Sequence, residues 1–322
     1  MIKVPAFVDM HCHLREPGFE QKETIETGLA SAITGGYAAV CPMANTNPVN
    51  DNVETLKFIA RPMVYPICAV TKNLEGRELV DFKILKETGA IAFSDDGRPI
   101  EDMKLLHDAV QIAKELDILL ISHAEDLKTG SEHLAVEREL EILSGCRYHF
   151  AHISTEKSLD LIHKAKKSMP QLTCETAPHY FSLTNETKFR VNPPLSTPQD
   201  IEAVIEALKD GTIDAIATDH APHTIVEKLS SNPPAGIAGF ETAFGVGYTY
   251  LVKAGHLTLD ELVQKMSINP AKILRIQNDK KILIDTECVW TVQAANFKSK
   301  CKISPYEGIK LTGKVIYDKP TD

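Results

Sequence analysis

The sequence predicts an α/β architecture: a (β/α)8 barrel carrying a small C-terminal β appendage. Short apolar runs alternate with amphipathic helical stretches, and eight such units follow one another. Strands alternating with helices imply parallel pairing, and eight repeats suit closure into a barrel better than an open doubly wound sheet. After residue 280 the helices cease and the remaining pattern is β-like. The barrel is therefore expected over residues 1–280 and the appendage over 281–322.

The first strand is expected over 5–14, in a stretch reading FVDMHCHLREPG from Phe7 to Gly18, and nothing long enough for another strand precedes residue 5. The helix that follows, Lys22 to Gly35, sets Ile25, Leu29, Ala32 and Ile33 at helical spacing and ends in glycine. Further strands are expected over 37–46, 63–71, 90–95, 118–123, 147–153, 172–178 and 213–219. The helices between them read NVETLKFIA, VDFKILKETG, DMKLLHDAVQIAKEL, HLAVERELEILSG, TEKSLDLIHKAKKSM and PQDIEAVIEALKDG. Gly89 and Gly211 close two of these, glycine being the usual residue past a helix end. GFETAFGVGYTYLVKAG and LTLDELVQKM are the last helical stretches, and ILIDTECVWTVQ and IKLTGKVIYD the strands of the appendage. No linker, low-complexity tract or repeat marks a second large domain.

Composition narrows the function. The chain has 322 residues, 43% hydrophobic and 25% charged, with a formal net charge of −9. That is a soluble globular balance, and no Lys/Arg-rich run argues for nucleic acid or an anionic membrane as partner. A small anionic substrate remains compatible, because one local arginine can hold it. No apolar run approaches the roughly 20 residues of a membrane span. The start, MIKVPAFVDMH, lacks the pattern of a signal peptide. Seven cysteines without CxxC pairs suit reduced thiols in a cytoplasmic protein. Cys12, between two histidines, reads as a packing residue on the opposite strand face.

Residues that carry chemistry collect at strand ends. Asp9, His11 and His13 alternate and so project from one face of a strand, where two imidazoles can share a metal ion. Arg15, just beyond, offers a planar positive fork that suits a carboxylate. Asn45 follows the second strand, Asp95 and Asp96 the fourth, His123 the fifth, His152 the sixth, and Asp219, His220 and His223 the eighth. Singly, each has a bland account: a buried histidine bonded to backbone, a helix cap at Asp95–Asp96, loop residues at Asp219 and His223. Jointly they converge, because the strand ends of a (β/α)8 barrel share one mouth where active sites lie. Histidine with carboxylate there suits zinc or a similar divalent metal. Four histidines and a carboxylate exceed one tetrahedral zinc, so two metals with a bridging carboxylate are expected. Two cations would lower the pKa of a shared water, and Asp219 would hold and shuttle its proton. Such a kit hydrolyses amides, ureas or phosphoesters, and fold and metals do not choose among them.

The segments FVDMHCHLREPG, KETIETG, MANTNP, AFSDDG, SHAED, AHIS, VNPPL, DGTIDAIATDHAPH and GIAGFET span residues 7–243. They resemble the amidohydrolase superfamily and, within it, the dihydroorotase family, with HxHxREPG and DGTIDxIATDHAPH the most specific parts. The resemblance implies that His11 and His13 bind one metal and His123 and His152 the other. It points to Asp96 as the bridge, in the branch that uses an aspartate there, whereas strand alternation alone does not separate Asp96 from Asp95. It implies Asp219 both as a metal ligand and as general acid/base. It assigns Arg15, Asn45 and His223 to the substrate carboxylate, and Asn192 with the backbone near Ala235 and Gly236 to the ring. The implied cofactor is zinc, two per subunit. The implied reaction interconverts L-dihydroorotate and N-carbamoyl-L-aspartate in pyrimidine synthesis. A homodimer and an association with aspartate transcarbamoylase are compatible partners.

Three departures stand out. The segment of strands that usually precedes the first barrel strand is absent, the stretch from Asp126 to Glu141 is abbreviated, and the usual MPNT reads MANT. None touches a proposed ligand. Two other readings compete. One is another cyclic amidohydrolase (dihydropyrimidinase, hydantoinase or allantoinase), against which Arg15 and the aspartate at the fourth strand argue. The other is a non-catalytic relative that supports aspartate transcarbamoylase, against which the full set of ligands argues.

Overall fold

The structure, a computed structural model, describes residues 1–143 and 145–316. Among the described residues eleven strands run β1 Ile2–Pro5, β2 Phe7–Cys12, β3 Tyr37–Pro42, β4 Ile67–Cys68, β5 Ala92–Phe93, β6 Leu119–Ser122, β7 Arg147–Phe150, β8 Leu172–Thr176, β9 Ala215–Ile216, β10 Lys281–Thr291 and β11 Lys310–Ile316. β2 pairs with β3, and β4 to β9 form a parallel sheet in sequential order. Parallel bridges from Val40 to Val64 and from Cys12 to His220 join these two groups at both seams. The eight strands β2–β9 thus form the ring of the expected (β/α)8 barrel. Several are shorter than expected, because only their middle residues share ladder hydrogen bonds.

Seven helices lie between the strands: α1 Ile25–Thr34, α2 Val53–Ile59, α3 Phe82–Thr88, α4 Met103–Glu115, α5 Glu132–Leu140, α6 Glu156–Lys166 and α7 Pro198–Asp210. Their starts follow the local chemistry. The side chains of Thr24, Asn52, Asp81, Asp102, Ser131 and Thr197 each accept a backbone N–H from the first turn, which satisfies donors that the helix itself leaves free. Four more helices follow: α8 Ile225–Lys228, α9 Ala243–Gly247, α10 Leu259–Val263 and α11 Asn269–Leu274. α8 was not expected. The last two expected helices are interrupted by π-helical turns at Tyr248–Val252 and Gln264–Ile268, and the second runs on past Met266 through α11. Pro270 follows directly on the second π-helical turn, where the i→i−4 ladder is already interrupted. Among the described residues no helix is long and apolar enough to cross a membrane.

Two apolar clusters divide the barrel. The inner one takes Val8 and Met10 from β2, Ala39 and Cys41 from β3, and Leu119 and Ile121 from β6, with Ala271 and Leu274 among its other members. The outer one joins the other strand faces to the helices and includes Phe7, Cys12 and Leu14. The alternation of β2 therefore breaks between Met10, which faces inward, and Cys12, where pairing with β3 shifts register. A shift of this kind re-aims side chains near a site. It turns His11 and His13 to the barrel centre, while Asp9 instead accepts from Thr218 N at 2.8 Å and Thr218 Oγ1 at 2.6 Å. The expected shared face of Asp9, His11 and His13 is corrected accordingly.

The appendage also differs from expectation. β1 pairs antiparallel with β10, Ile2 opposite Ile284 and Val4 opposite Ile282, and β10 pairs with β11. A strand does precede residue 5, and it belongs to the C-terminal sheet. Four residues are too few to show period-two patterning. The last two residues of the strand expected over 309–318, and the end of the appendage at 322, lie outside the described residues. The chain between β10 and β11 docks on the barrel through buried Glu23, which accepts from Ser299 Oγ and Lys300 N.

Candidate metal centre

The strand ends bring His11, His13, Asp96, His123, His152 and Asp219 into one buried cluster at the barrel mouth. The Asp96 carboxylate lies among the four histidines. Its Oδ1 is 3.4 Å from His11 Nε2, 3.5 Å from His123 Nδ1 and 3.9 Å from His152 Nε2, and its Oδ2 is 3.6 Å from His13 Nε2. Asp219 Oδ1 is 3.4 Å from His13 Nε2 and 3.6 Å from His11 Nε2. Ligands about 2.0–2.1 Å from a tetrahedral ion are about 3.3–3.4 Å apart, so this spacing suits a shared cation. Two overlapping groups have ligand atoms within 4.8 Å of one another: His11, Asp96 and His152, and His11, His13 and Asp219. His11 belongs to both.

Asp95 and Asp96 part company here. The Asp95 carboxylate turns away and accepts from Val70 N at 2.7 Å, Thr71 N at 3.0 Å and the Thr71 hydroxyl. Only Asp96 faces the histidines.

The donor set fits a divalent metal on two counts. His11 Nδ1 is bonded to Glu175 Oε1 at 3.0 Å, which leaves a buried Nε2 without a hydrogen-bond partner. A histidine so fixed by a carboxylate presents its other nitrogen to a metal. The second count is charge. Burial alone would raise Asp96 and Asp219, yet both are held well below the usual carboxylate range, Asp96 by His11, His123 and His152, and Asp219 by His13 and His11. Buried carboxylates in that state require compensating positive charge.

The remaining site residues surround this cluster. Asn45 spans two members: its Oδ1 is 2.9 Å from His13 Nδ1, and its Nδ2 donates to Asp96 Oδ2 at 3.1 Å. Asn192 Nδ2 donates to Glu125 Oε2 at 3.1 Å and lies 3.1 Å from His123 Nε2. Arg15 donates from Nε to Pro222 O at 3.1 Å, with Nη2 3.2 Å from His223 Nε2. His223 Nε2 donates to Ala235 O at 2.8 Å. Gly236, at φ 135°, lies so close to Ala221 that a Cβ would meet its carbonyl oxygen at 2.3 Å, which leaves no room there for a side chain.

Comparison with known proteins gives the family. A model described as dihydro-orotase-like matches residues 1–142. The dihydroorotase of Acetivibrio thermocellus is 43% identical, over 98% of this chain and 85% of its own length. That of a Thermoanaerobacter species is 44% identical, over 97% of this chain and 83% of its own length. The chain belongs to the dihydroorotase family. Two solved structures share its fold. The L-hydantoinase of Arthrobacter aurescens superposes with a TM-score of 0.88 at 22% identity, over 98% of this chain and 83% of that one. The dihydropyrimidinase of Brevibacillus agri does so at 0.84 and 19% identity, over 98% and 82%. This dihydroorotase-family chain is also pared down. Its alignment with the Acetivibrio relative covers 364 positions against 322 residues, so at least 42 positions (364 − 322) face no residue here.

Sequence reasoning missed three residues of the site. Glu175, at the end of β8, is buried and joins His11 to His149, with Oε2 3.4 Å from His149 Nε2. Burial pushes it up, but the hydrogen bond with His11 and the nearby His149 ring bring it down to about 2. Glu125 accepts from Asn192 and sits 3.1 Å from His123 Nε2. His179, just past β8, is buried with Nε2 unpartnered, and burial pushes it down to about 4. All three occupy strand ends in the stretches SHAED and CETAPHY, the same signal that marked the other ligands. Glu175→Gln is expected to weaken metal affinity 10- to 100-fold or so, as loss of such a partner does elsewhere. Competition titration with a chelator checks this, and unchanged affinity would remove Glu175 from the metal's support.

Proposed function

We propose that this chain catalyses the reversible hydrolysis of L-dihydroorotate to N-carbamoyl-L-aspartate, in the pyrimidine synthesis of the cytoplasm. His11, His13, Asp96, His123 and His152 would hold zinc, two ions per chain, with Asp96 between the histidine pairs. When bound, the metal supplies an ionised water near neutrality and a Lewis acid for the ring carbonyl. The chain's own residues do the rest. Asp219 Oδ1 faces His11 and His13, which leaves Oδ2 to take the proton of the attacking water and return it to the departing ring nitrogen. Asn45 and Glu175 orient the histidines.

The observation that carries the substrate assignment is the pairing of Arg15 with His223 beside the cluster. Burial brings Arg15 down to about 10, so it keeps its charge near neutrality. Burial and the Arg15 charge push His223 down to about 3. The pair therefore offers one fixed positive charge, on Arg15, beside a neutral imidazole whose Nε2–H is held by Ala235 O, as a carboxylate on a neutral ring requires. Asn192 and the backbone at Ala235 and Gly236 would face the ring.

The test is turnover of dihydroorotate and carbamoyl-aspartate beside dihydrouracil and allantoin, on protein of measured metal content. A strict preference for dihydrouracil would overturn the assignment. In the same assay Arg15→Ala should raise KM roughly 10- to 100-fold, since a hydrogen bond to a charged group contributes about 1.5–3 kcal/mol. Lost turnover at unchanged KM would instead deny Arg15 its role as a clamp.

A further inference from the structure

Lys228 is the last residue of α8 and is only 8% exposed. Buried lysines are almost always paired with an acid, yet among the described residues no carboxylate lies within ion-pair distance of this one. Its ammonium donates instead to three backbone carbonyls: Arg190 O at 3.2 Å, Pro234 O at 3.0 Å and Gly236 O at 2.8 Å. It also sits 4.0 Å over the Phe189 ring. An ammonium has three donors, and all are used. The segments gathered are those that hold the proposed substrate contacts. Phe189 and Arg190 lead to Asn192. Pro234 and Gly236 flank Ala235, whose carbonyl accepts from His223. The Gly236 N–H closes the junction by donating to Arg190 O at 3.1 Å.

We propose that Lys228 is a positioning residue for substrate, its ammonium latching the 234–236 backbone to the segment bearing Asn192 and so fixing the wall against which the ring lies. The proposal rests on the reading that Asn192 and the backbone at Ala235–Gly236 face the ring. It makes the 224–236 stretch a pinned wall, held from beneath by one cation. The charge itself matters, because three carbonyl oxygens and a ring face converge on it and would repel one another without it.

The charge is also conditional. Burial brings the ammonium down to about 8, with Cys301 of the appendage opposing and the Arg190 guanidinium pushing the same way. The protonated form is the latch, so the latch weakens as pH rises through that value. Two readouts on the metal-loaded enzyme test this. In Lys228→Met the KM for dihydroorotate should rise about tenfold or more with kcat within about threefold, because loss of a positioned wall weakens binding first. Hydrogen exchange at the Gly236 amide should quicken at least about tenfold, and Lys228→Arg should restore part of both. In the native enzyme KM should climb between pH of about 7 and about 9, below the range in which Arg15 begins to lose its charge, while in Lys228→Met it should stay level across that range. Unchanged exchange in Lys228→Met overturns the latch. Faster exchange with unchanged KM shows the latch but removes that wall from substrate binding, and so overturns the positioning role. If Lys228→Met does not fold, a level native KM across the same range overturns the proposal by itself.

Discussion

Asp219→Asn is expected to lower kcat by roughly 10² or more, the usual worth of a general acid–base group, with the bound metal retained. The residue sits just past β9, in the left-handed region at φ 46°. The neighbouring backbone is fixed by the bond from His13 N to His220 O at 2.7 Å, so its carboxylate is held rigidly. It is buried, which would favour the neutral acid, but the His13 and His11 contacts outweigh burial and keep it ionised. A metal at the same nitrogens would act on it in the same sense. The group is thus ionised at neutral pH, the form a base requires, and the amide, similar in shape, cannot take its place as an acceptor of the proton. Asp96 and the histidines remain to hold the metal. Measurement of kcat together with metal per chain decides the matter. Near-normal turnover would exclude Asp219 as the base, and metal loss in step with activity would recast it as a ligand first.

Much of this site is legible in the amino-acid sequence because a parallel barrel orders its strand ends. Once β2 to β9 are placed, His11, His13, His123, His152 and Asp219 must meet at one mouth, however distant in sequence. What the pattern does not resolve depends on single-residue geometry. Asp95 and Asp96 are adjacent, and only the N–H groups of Val70 and Thr71 show which one turns away. Asp9 shares the period of His11 and His13, but the register shift in β2 separates them. β1 is too short to carry a period, and its role as an edge of the C-terminal sheet depends on β10, nearly three hundred residues downstream. Glu175 is the instructive omission. It lies in a strand whose neighbours Leu172 and Cys174 face the outer core, and its own inward position looks apolar by analogy with the inner faces of β2 and β6. A buried acid there is tolerable only because His11 and His149 share it. α8 likewise has no apolar period of its own and forms around the Thr224 and Glu227 capping box.

Asp96→Ala and Asp95→Ala, compared side by side, should give opposite outcomes, and the contrast tests the centre of the site. Among the described residues Asp96 is the one carboxylate with oxygens toward all four histidines, Oδ1 toward His11, His123 and His152 and Oδ2 toward His13. Its removal leaves Asp219 beside His11 and His13 but no carboxylate beside His123 Nδ1 and His152, and so takes away the group that, among the described residues, joins both halves. Metal should then be lost on dialysis, and activity should fall by about 10³ or more, beyond the effect expected of losing a proton-transfer group alone. Asp95 works on the structure instead. Its carboxylate satisfies the N–H groups of Val70 and Thr71 and the Thr71 hydroxyl, all buried between β4 and β5. Leaving those donors without a partner should cost about 1–3 kcal/mol of stability, while metal content and kcat per folded molecule stay near native. Thermal unfolding, metal analysis and turnover on the two variants separate the roles. Metal loss in Asp95→Ala with retention in Asp96→Ala would reverse the assignment, and with it the geometry on which the proposed chemistry depends.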